Sequence, residues 1–455
     1  MSSPNVTVYQ KLQEQQKLFL NKKVGFRRKV LDTVLKTLKM SNATIITGLR
    51  RTGKTTLLRQ VYQYLLKSTS PKNIIYFSFD EHITRNLEFL TRLLELSIPA
   101  ESETRLYLLL DEIQYIKNWQ GVIKKYIDFY PHLKIIVSGS SSVFIKKKMN
   151  ESLAGRTYEV YVEKLSFSEF ASISGALNLK PEEDFDLKQF LLHPNENLFQ
   201  NMQKKWAMIV EEVLPIFLEY QFYGQFPEVL EYEEIQDKYK YINESVYKKL
   251  MEEDLPSLYS IENIFEFNRL YQVLLESSGS YLEITNLSRE LEISQNTLKN
   301  YLEILENSYL LGDHLSFHKS LRKKSRAKQK KYIISTNFYA ARHNLSLEFA
   351  EPQILGHLLE TSVYWELRKN FTYNFFFYKD KKEIDFLCTD DPLFQEILPI
   401  EVKYKKNITR NDFKVLDSYL AKNNIKNGFI FALSAEKINL SEEKTLWVLP
   451  TPLFL

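Results

Sequence analysis

The sequence predicts an α/β fold: a parallel sheet wound with helices, then a helical region, then a second, small α/β region. Three observations predict it. A phosphate-loop pattern at residues 48–55 stands between a β-rich run and a helical pattern. At least four β-rich runs alternate with helical stretches between residues 43 and 140, which is typical of parallel sheets. Near the C-terminus, two short alternating runs carry acids and a lysine behind a helical segment.

The loop reads Gly-Leu-Arg-Arg-Thr-Gly-Lys-Thr, a complete G-x-x-x-x-G-K-[ST] pattern. Its glycines allow backbone N–H groups to turn towards phosphate oxygens, and the following helix adds partial positive charge. Lys54 is expected at the β- and γ-phosphates and Thr55 at Mg²⁺. A turn that fits the pattern by chance is the alternative, and the flanking strand and helix argue against it. We therefore expect ATP and Mg²⁺ as ligands and the following nucleotide-binding residues: Gly48, Arg51, Thr52, Gly53, Lys54, Thr55, Thr56 and Ser138.

Two acids follow a continuous apolar run at 106–110. Such a run is typical of a parallel strand buried on both faces, with its functional tip at the carboxyl end. We expect Asp111 to be the Mg²⁺ ligand and Glu112 the base that activates water. The alternative is a helix start, where acids are also favoured.

A third strand, predicted from Lys134 onwards, ends in serines. Ser138 and Ser140 are candidates for contacting the γ-phosphate. Ser-Gly-Ser is also ordinary turn chemistry, so both interpretations stay open.

Several motifs together resemble a prokaryotic AAA-type ATPase family. They are Gly48–Thr55, Leu110–Gln114 followed by Trp119, Ser138–Ser141, Ser152–Arg156, Leu165–Phe170 and Tyr223–Glu228. The resemblance implies that the ATPase precedes a winged helix and a C-terminal domain similar to the PD-(D/E)xK nucleases. It also implies a charge-stabilising role for Arg156. If that arginine works across a subunit boundary, the protein is a homo-oligomer; the alternative is a solvated loop arginine. Arg27 and Arg28 could flank the base or the phosphates.

Length and composition set further bounds. The 455 residues suggest about three domains, and we predict an N-terminal helical segment (1–40), an ATPase core (41–175), a helical linker (176–255), a winged helix (256–340) and a nuclease-like domain (341–455). The single cysteine, Cys388, excludes a disulfide framework and a Cys-based zinc site. No apolar stretch approaches the roughly 20 residues of a membrane span, and no signal-peptide core is evident, so we expect a cytoplasmic protein.

The winged helix is predicted from a helix at 284–291, a turn at 292–294 and a helix at 295–308. An apolar stripe on the second helix leaves Gln295, Asn296, Lys299 and Asn300 outside it, which suits a helix that enters a DNA groove. The run 319–331 has eight bases and no acid, and we interpret it as the wing. The alternatives are a solvated loop and a winged helix that contacts protein. The family-like pattern usually carries an Asp after the wing, where this chain has Ser335-Thr336-Asn337.

The C-terminal pattern consists of Glu360 on a helical segment, Asp385 on a strand, and Glu401 and Lys403 on the same face of a later strand. In order, these match the helix-Glu, Asp, Glu-x-Lys pattern of PD-(D/E)xK nucleases. Three neighbouring carboxylates (Glu360, Asp385, Glu401) would bind Mg²⁺ or Mn²⁺, and Lys403 would activate water at a scissile phosphate. In isolation, Glu-x-Lys is more typical of a solvated strand face.

Three functions remain open on the sequence. The first is an ATPase that binds and cuts DNA, using Lys54, Asp111 and Glu112 for ATP and the C-terminal acids for DNA. The second is an ATPase whose C-terminal domain binds DNA without cutting it. The third is a nucleotide-controlled switch or scaffold that binds only protein.

Overall fold

The computed structural model describes residues 4–98, 104–139, 153, 155–177, 185–317, 329–371, 375–379, 382–391, 393–394 and 396–455. The chain divides into two compact units, Met1–Lys164 and Leu165–Leu455. The helices and strands of unit 1 are α1 (Pro4–Asn21), α2 (Val30–Thr37), β1 (Ala43–Thr47), α3 (Lys54–Leu65), β2 (Ile74–Ser78), α4 (Leu87–Ser97), β3 (Leu106–Asp111), α5 (Trp119–Phe129), β4 (Leu133–Gly139) and β5 (Thr157–Tyr161).

Unit 1 is built on a five-stranded sheet of order β2-β3-β4-β1-β5, in which every pairing is parallel. Alternate side chains of the central strands enter two different cores, as Ile45 and Ile46 of β1 illustrate. Burial on both faces explains the continuous apolar runs in the sequence. The predicted parallel sheet wound with helices is confirmed. Because β4 lies between β1 and β3, the carboxyl ends of these three strands meet at one edge.

Helix α1 covers the edge strand β2. The side chain of Gln15 accepts a hydrogen bond from the Ser78 amide (2.7 Å), and Gln16 donates one to the Ile74 carbonyl (3.1 Å). Phe19 stacks on Tyr76 with ring centroids 3.5 Å apart. An unpaired sheet edge exposes backbone groups that invite other strands, and α1 occupies them.

Unit 2 contains a helical region followed by strands and helices. Its helices are α6 (Phe167–Ile173), α7 (Leu187–Leu192), α8 (Glu196–Phe222), α9 (Ile235–Tyr241), a π-helical segment (Ile242–Asp254), α10 (Leu255–Tyr259), α11 (Ile264–Glu276), α12 (Ile284–Leu291), α13 (Gln295–Asn307), α14 (Thr336–His343), α15 (Pro352–Asn370) and α16 (Arg410–Asn423). Its strands are β6 (Tyr281–Leu282), β7 (Leu311–Ser316), β8 (Gln329–Ile333), β9 (Phe375–Lys379), β10 (Glu383–Cys388), β11 (Leu398–Val402), β12 (Asn427–Ala432), β13 (Glu436–Asn439) and β14 (Thr445–Pro450).

In the described part of unit 2, all strands belong to one mixed sheet of order β13-β14-β12-β11-β10-β9-β7-β8-β6. The antiparallel hairpin of β7 and β8 joins the C-terminal strands through a parallel pairing of β7 with β9, which places Leu315 opposite Phe376. The sheet therefore runs across the predicted domain boundary at 340/341. We predicted that boundary from local sequence patterns, and such patterns do not reveal a pairing between strands that are distant in the chain.

Strand β10 contains a bulge between Ile384 and Leu387 in its pairing with β9. Ile384 enters the core beneath α16, whereas the Phe386 ring packs against His314 and Tyr332 elsewhere. Ile384 and Phe386 therefore do not share a face, because the extra residue breaks the alternation of the strand.

Among the helices in the described part of the chain, none has the length and apolarity needed to cross a lipid bilayer.

Candidate functional site

The phosphate-loop pattern forms a tight turn between β1 and α3. A Cβ atom at Gly48 would lie 2.2 Å from the Val162 carbonyl oxygen, so only glycine fits there. Gly53, the residue before α3, has φ +92°, a left-handed conformation that also favours glycine. Exposed Arg51 is left-handed as well, with φ +64°. The turn brings the amino end of α3 to the carboxyl edge of the sheet, as the sequence predicted.

The remaining loop residues take different positions. Lys54 is buried, and its ammonium donates to the carbonyls of Gly48 (3.1 Å) and Leu49 (2.8 Å). Thr52 is buried, and its hydroxyl donates to Leu49 O (2.9 Å), so it supports the turn. Thr56 packs against Gly25: a Cβ atom added to Gly25 would lie 2.6 Å from Thr56 Cγ2. Lys54 is thus held along the loop backbone, and its contact with a phosphate stays a prediction.

Asp111, the last residue of β3, forms hydrogen bonds with side chains of β2, β4 and the start of α3. It is 1% exposed. Its Oδ2 accepts from the Thr55 hydroxyl (2.7 Å) and the Tyr76 hydroxyl (3.2 Å), and its Oδ1 accepts from Ser138 and from the Glu112 amide (3.1 Å). Thr55, Asp111 and Ser138, three residues predicted for this site, therefore lie together. A hydroxyl and a carboxylate side by side are oxygen donors of the kind that Mg²⁺ prefers, so these residues fit the ion.

Glu112 follows directly in a left-handed backbone conformation, with φ +56°. The side-chain amide of Gln114 donates a hydrogen bond to the Glu112 carboxylate. The other end of this amide lies close to Gly139, where an added Cβ atom would be 2.5 Å from Gln114 Oε1. Non-glycine residues with positive φ cost free energy and cluster at functional sites. The strained backbone turns Glu112 away from the strand direction that Asp111 continues.

Tyr76 is a site residue that the sequence reasoning missed. Burial, with Asp111 nearby, raises the pKa of its phenol well above the ordinary value, so it remains a hydrogen-bond donor. Its position in an apolar β-rich run looks like core, and only the pairing of Ser78 with Asp111 in the neighbouring strand brings it into reach. Arg59 links α3 to α1 in the same region, because its guanidinium donates a hydrogen bond to the Phe19 carbonyl (3.1 Å).

The two arginines upstream of the sheet differ. Arg28 donates to the carbonyls of Thr52 (2.9 Å) and Glu163 (2.8 Å), so it braces the loop. Arg27 is exposed and pairs with Asp32 at 2.5 Å. Arg28 therefore acts on the loop backbone, a role that the sequence did not suggest.

Arg156 lies at the opposite edge of the sheet from the loop. Its carbonyl accepts from the Ala43 amide, at the start of β1, and its guanidinium pairs with Asp128 at 2.7 Å. The five residues of β1 separate it from the loop by about 15 Å. In this chain Arg156 thus does not reach its own loop. Ser140, the other γ-phosphate candidate, lies outside the described residues.

The C-terminal residues also come together. Asp385 accepts from the Val402 amide (2.8 Å), which fastens β10 to β11, and Lys403 donates to Glu401 (2.7 Å). Glu401 is 4% exposed, and among the described residues its Oε1 has no hydrogen-bond partner. Burial, with Asp385 alongside, raises the pKa of Glu401 well above the usual range. Burial opposes the charged form of Lys403, but Asp385 and Glu401 raise its pKa above the ordinary value.

Glu360 reaches the same region from α15. Its Oε1 accepts from the Tyr332 hydroxyl (2.6 Å) and lies 3.6 Å from the Lys330 ammonium. Burial, and then repulsion from Asp385, raises its pKa to about 7. The four predicted residues, Glu360, Asp385, Glu401 and Lys403, thus influence one another electrostatically.

These acids are not arranged as a metal site. Among the residues that the structure describes, no group of three or more His, Cys, Asp or Glu is placed to hold a metal ion. The predicted ligand set at Glu360, Asp385 and Glu401 therefore does not fit a bound Mg²⁺ or Mn²⁺ in this arrangement.

The two helices predicted at 284–291 and 295–308 are present as α12 and α13. Gln295, Asn296, Lys299 and Asn300 are exposed, as expected. Most of the basic run, residues 319–328, lies outside the described residues. Its last two bases, Lys330 and Lys331, are buried and paired with Glu383 and Glu306. Both lie within β8 and not in a solvated loop, and the interpretation of the run as a wing stays a prediction.

Asn337 stands where the family-like pattern has an acid. It is fully buried; its amide donates to the carbonyls of Tyr220 (3.0 Å) and Gln221 (2.9 Å), and its oxygen accepts from the Gln225 amide (2.8 Å). A carboxylate could not donate those two bonds. Asn337, at the start of α14, thus has a structural role, because it binds carbonyls at the end of α8.

Three family models match the chain. Residues 40–171 match an AAA domain, residues 214–346 a Domain of unknown function (DUF8612) and residues 355–454 a Domain of unknown function (DUF4143). Two relatives come from Methanocaldococcus jannaschii. Uncharacterized protein MJ1637 is 27% identical over 391 residues, with 84% of this chain and 79% of the relative covered. Uncharacterized protein MJ1544 is 27% identical over 421 residues, with 87% and 85% covered.

Among solved structures, the ORC1 protein of Aeropyrum pernix in complex with DNA is similar at a TM-score of 0.31 and 12% identity, with 72% of this chain and 95% of that chain covered. A RuvB variant of Thermotoga maritima is similar at a TM-score of 0.29 and 12% identity, with 75% and 95% covered. Scores this low do not establish a common overall fold. The AAA domain match and the observed sheet with its loop support an AAA-type P-loop ATPase in the first part of this chain.

Proposed function

We propose that this protein is a Mg²⁺-dependent ATPase that binds DNA through a winged helix and acts on it through its C-terminal domain. The observation that carries the ATPase proposal is the 2.7 Å hydrogen bond between the loop residue Thr55 and Asp111 at the tip of β3. It joins the phosphate cradle to the carboxylate that hydrolysis needs.

Each residue of the site has a separate role in the proposal. The amides of 48–55 bind the phosphates, and Lys54 exchanges its carbonyl partners for phosphate oxygens. Thr55 and Asp111 would hold Mg²⁺, which neutralises charge on the phosphates. Glu112 takes the proton of the attacking water, and Ser138 and Tyr76 keep Asp111 in position. Electrostatic stabilisation and positioning supply most of the catalysis of phosphoryl transfer.

Arg156 completes the site from a neighbouring copy of the chain in this proposal. Its place at the far edge of the sheet, beside Asp128, excludes the loop of its own chain and leaves it exposed to a neighbour. Arginines supplied in this way are worth about 10³–10⁵ in rate in other phosphoryl-transfer enzymes. Mixing an Arg156→Ala chain with a Lys54→Ala chain tests this point: activity should return only if the two copies share a site.

Phosphate release tests the ATPase. The wild type should hydrolyse Mg·ATP, whereas Glu112→Gln should bind it, seen as thermal stabilisation, and hydrolyse it at least 100-fold more slowly. Lys54→Ala should lose both binding and hydrolysis. A wild type without thermal stabilisation by Mg·ATP would end the proposal.

The DNA proposal is supported by the order of α11, β6, α12, α13, β7 and β8, which is that of a winged helix, and by the exposed polar face of α13. Fluorescence anisotropy with a duplex over a salt series tests it. Lys299→Met should weaken binding and reduce the salt slope by about 0.9, the value for one phosphate contact. Lys248→Met, at a comparably exposed site that pairs with Glu244, should change neither.

Cleavage is the second candidate function: the proximity of Asp385, Glu401 and Lys403 favours it, whereas the poor fit of the described acids to a metal ion favours a domain that does not cut. Plasmid and branched DNA incubated with Mg²⁺ or Mn²⁺ should then be cut by the wild type and left intact by Asp385→Ala. DNA-stimulated ATP turnover with intact DNA indicates a non-cutting domain. A wild type that binds no DNA even at low salt indicates a switch or scaffold for protein.

A further inference from the structure

Lys330 occupies an unexpected position in the C-terminal site. Its ammonium pairs with Glu383 and lies 3.6 Å from Glu360 Oε1, and its side chain is 5% exposed. It therefore bridges an acid of β10 and an acid of α15. Buried ammonium groups are stable only when paired, so these contacts fix both the lysine and the two carboxylates.

The surroundings hold the ammonium in place. Lys330 lies opposite Tyr281 in the pairing of β8 with β6, and the Tyr281 hydroxyl donates to Glu383. The ammonium is 5.6 Å from the Tyr281 ring centre and 5.5 Å from that of Phe377. Cations are attracted to ring faces at such distances. The hairpin thus inserts a cation between carboxylates that come from elsewhere in the chain.

This arrangement accounts for the poor fit to a metal ion. Each carboxylate of the site already has a protein partner: Glu360 and Glu383 have Lys330, Glu401 has Lys403, and Asp385 has the Val402 amide. A divalent ion needs oxygens that converge on one point. Here Lys330 stands between Glu360 and Glu383, and Lys403 pairs with Glu401, although the buried Oε1 of Glu401 is left without a described donor.

We propose that Lys330 is an internal cation of the C-terminal site, and that its ammonium competes with a divalent metal ion for Glu360. The hairpin that carries Lys330 belongs to the proposed winged helix. The metal affinity of the site therefore depends on a residue of this hairpin. The inference rests on the proposed C-terminal site, but it requires neither cleavage nor ATP hydrolysis.

Mn²⁺ binding to the full chain without nucleotide tests the proposal by calorimetry. Lys330→Met should bind Mn²⁺ at least ten-fold more tightly than the wild type, and Lys330→Arg, which keeps the charge, should resemble the wild type. Lys331→Met is the matched control, since Lys331 is the next residue of the strand, is equally buried and pairs with Glu306. It should leave Mn²⁺ binding unchanged.

Adding Asp385→Asn to Lys330→Met should abolish the gain, which also separates this site from Mn²⁺ binding near Asp111. Equal affinities of Lys330→Met and wild type would overturn the proposal, as would a gain that survives Asp385→Asn. If the methionine variant does not fold, Lys330→Gln, which keeps a donor for Glu383, carries the same test. The ATPase and DNA assays measure other quantities than Mn²⁺ binding. A failure of the proposed function can therefore be distinguished from a failure of the proposal for Lys330.

Discussion

Replacing Glu360 with glutamine is expected to stabilise unit 2 above neutral pH. The substitution keeps the shape of the side chain and an oxygen that can accept from Tyr332, but it removes the ionisable group. Burial and Asp385 raise the pKa of Glu360 to about 7. An acid of this kind binds its proton more tightly in the folded than in the unfolded chain, so stability falls as the pH rises from about 4.5 to about 7.

The magnitude follows from the two pKa values. An unfolded glutamic acid has a pKa of about 4.3–4.5, so above pH 8 the ionised Glu360 costs on the order of 3 kcal/mol of unfolding free energy. At pH 5.5 the cost is only about 1 kcal/mol, because the folded protein still holds the proton. Glu360→Gln should therefore be more stable than the wild type by about 3 kcal/mol at pH 8.5 and by about 1 kcal/mol at pH 5.5.

Urea unfolding in the presence of a metal chelator measures this difference. Tryptophan fluorescence follows unit 2, which holds Trp206, Trp365 and Trp447, whereas unit 1 has Trp119. Glu366→Gln on the same helix is the control, since Glu366 pairs with exposed Lys369 and such pairs contribute little. A stability difference between Glu360→Gln and wild type that does not change with pH would refute the reasoning.

Three further predictions concern unit 1. Tyr76→Phe removes one donor to Asp111 and should lower the ATP hydrolysis rate more than it raises the ATP concentration at half-maximal rate; an unchanged rate would contradict this. Gly48→Ala must displace Val162 and should abolish thermal stabilisation by Mg·ATP; retention of that stabilisation would show that the loop is not constrained. Burial lowers the pKa of Lys134 to about 8, so the unfolded chain binds more protons between pH 8 and 10.5, and stability rises with pH in that window. Between pH 7.5 and 9.5 the free energy of unfolding of the wild type, measured with urea, should thus rise by about 2 kcal/mol relative to that of Lys134→Met. A difference between the two proteins that does not change with pH would contradict this prediction.

The sequence predicted those features whose physical cause is local. The loop pattern needs glycines at fixed positions, and the apolar run before Asp111 is typical of a strand buried on both faces. Both lie where the sequence indicated, and so do helices α12 and α13, whose apolar stripes repeat every three to four residues. The positions of Thr55, Asp111 and Ser138 also followed, because parallel strands end at one edge.

Features that depend on contacts between distant segments could not be predicted. Tyr76 resembles a core residue until β2 pairs with β3, and Asn337 resembles a departure from a motif until α8 presents its carbonyls. The alternation of polar and apolar residues over 383–387 did not indicate the bulge in β10. Lys330 reads as one base among eight, yet β8 delivers it to the acids of α15 and β10.

By itself, then, the sequence determined the phosphate loop, its two acids and the order of the C-terminal acids, since each is encoded within a few neighbouring residues. Only the tertiary structure decided that one sheet joins the hairpin to the C-terminal strands, and that Lys330 stands between Glu360 and Glu383. The physical reason is that strand pairing over long sequence separations decides which charges meet, and those pairings leave little trace in any short stretch of the chain.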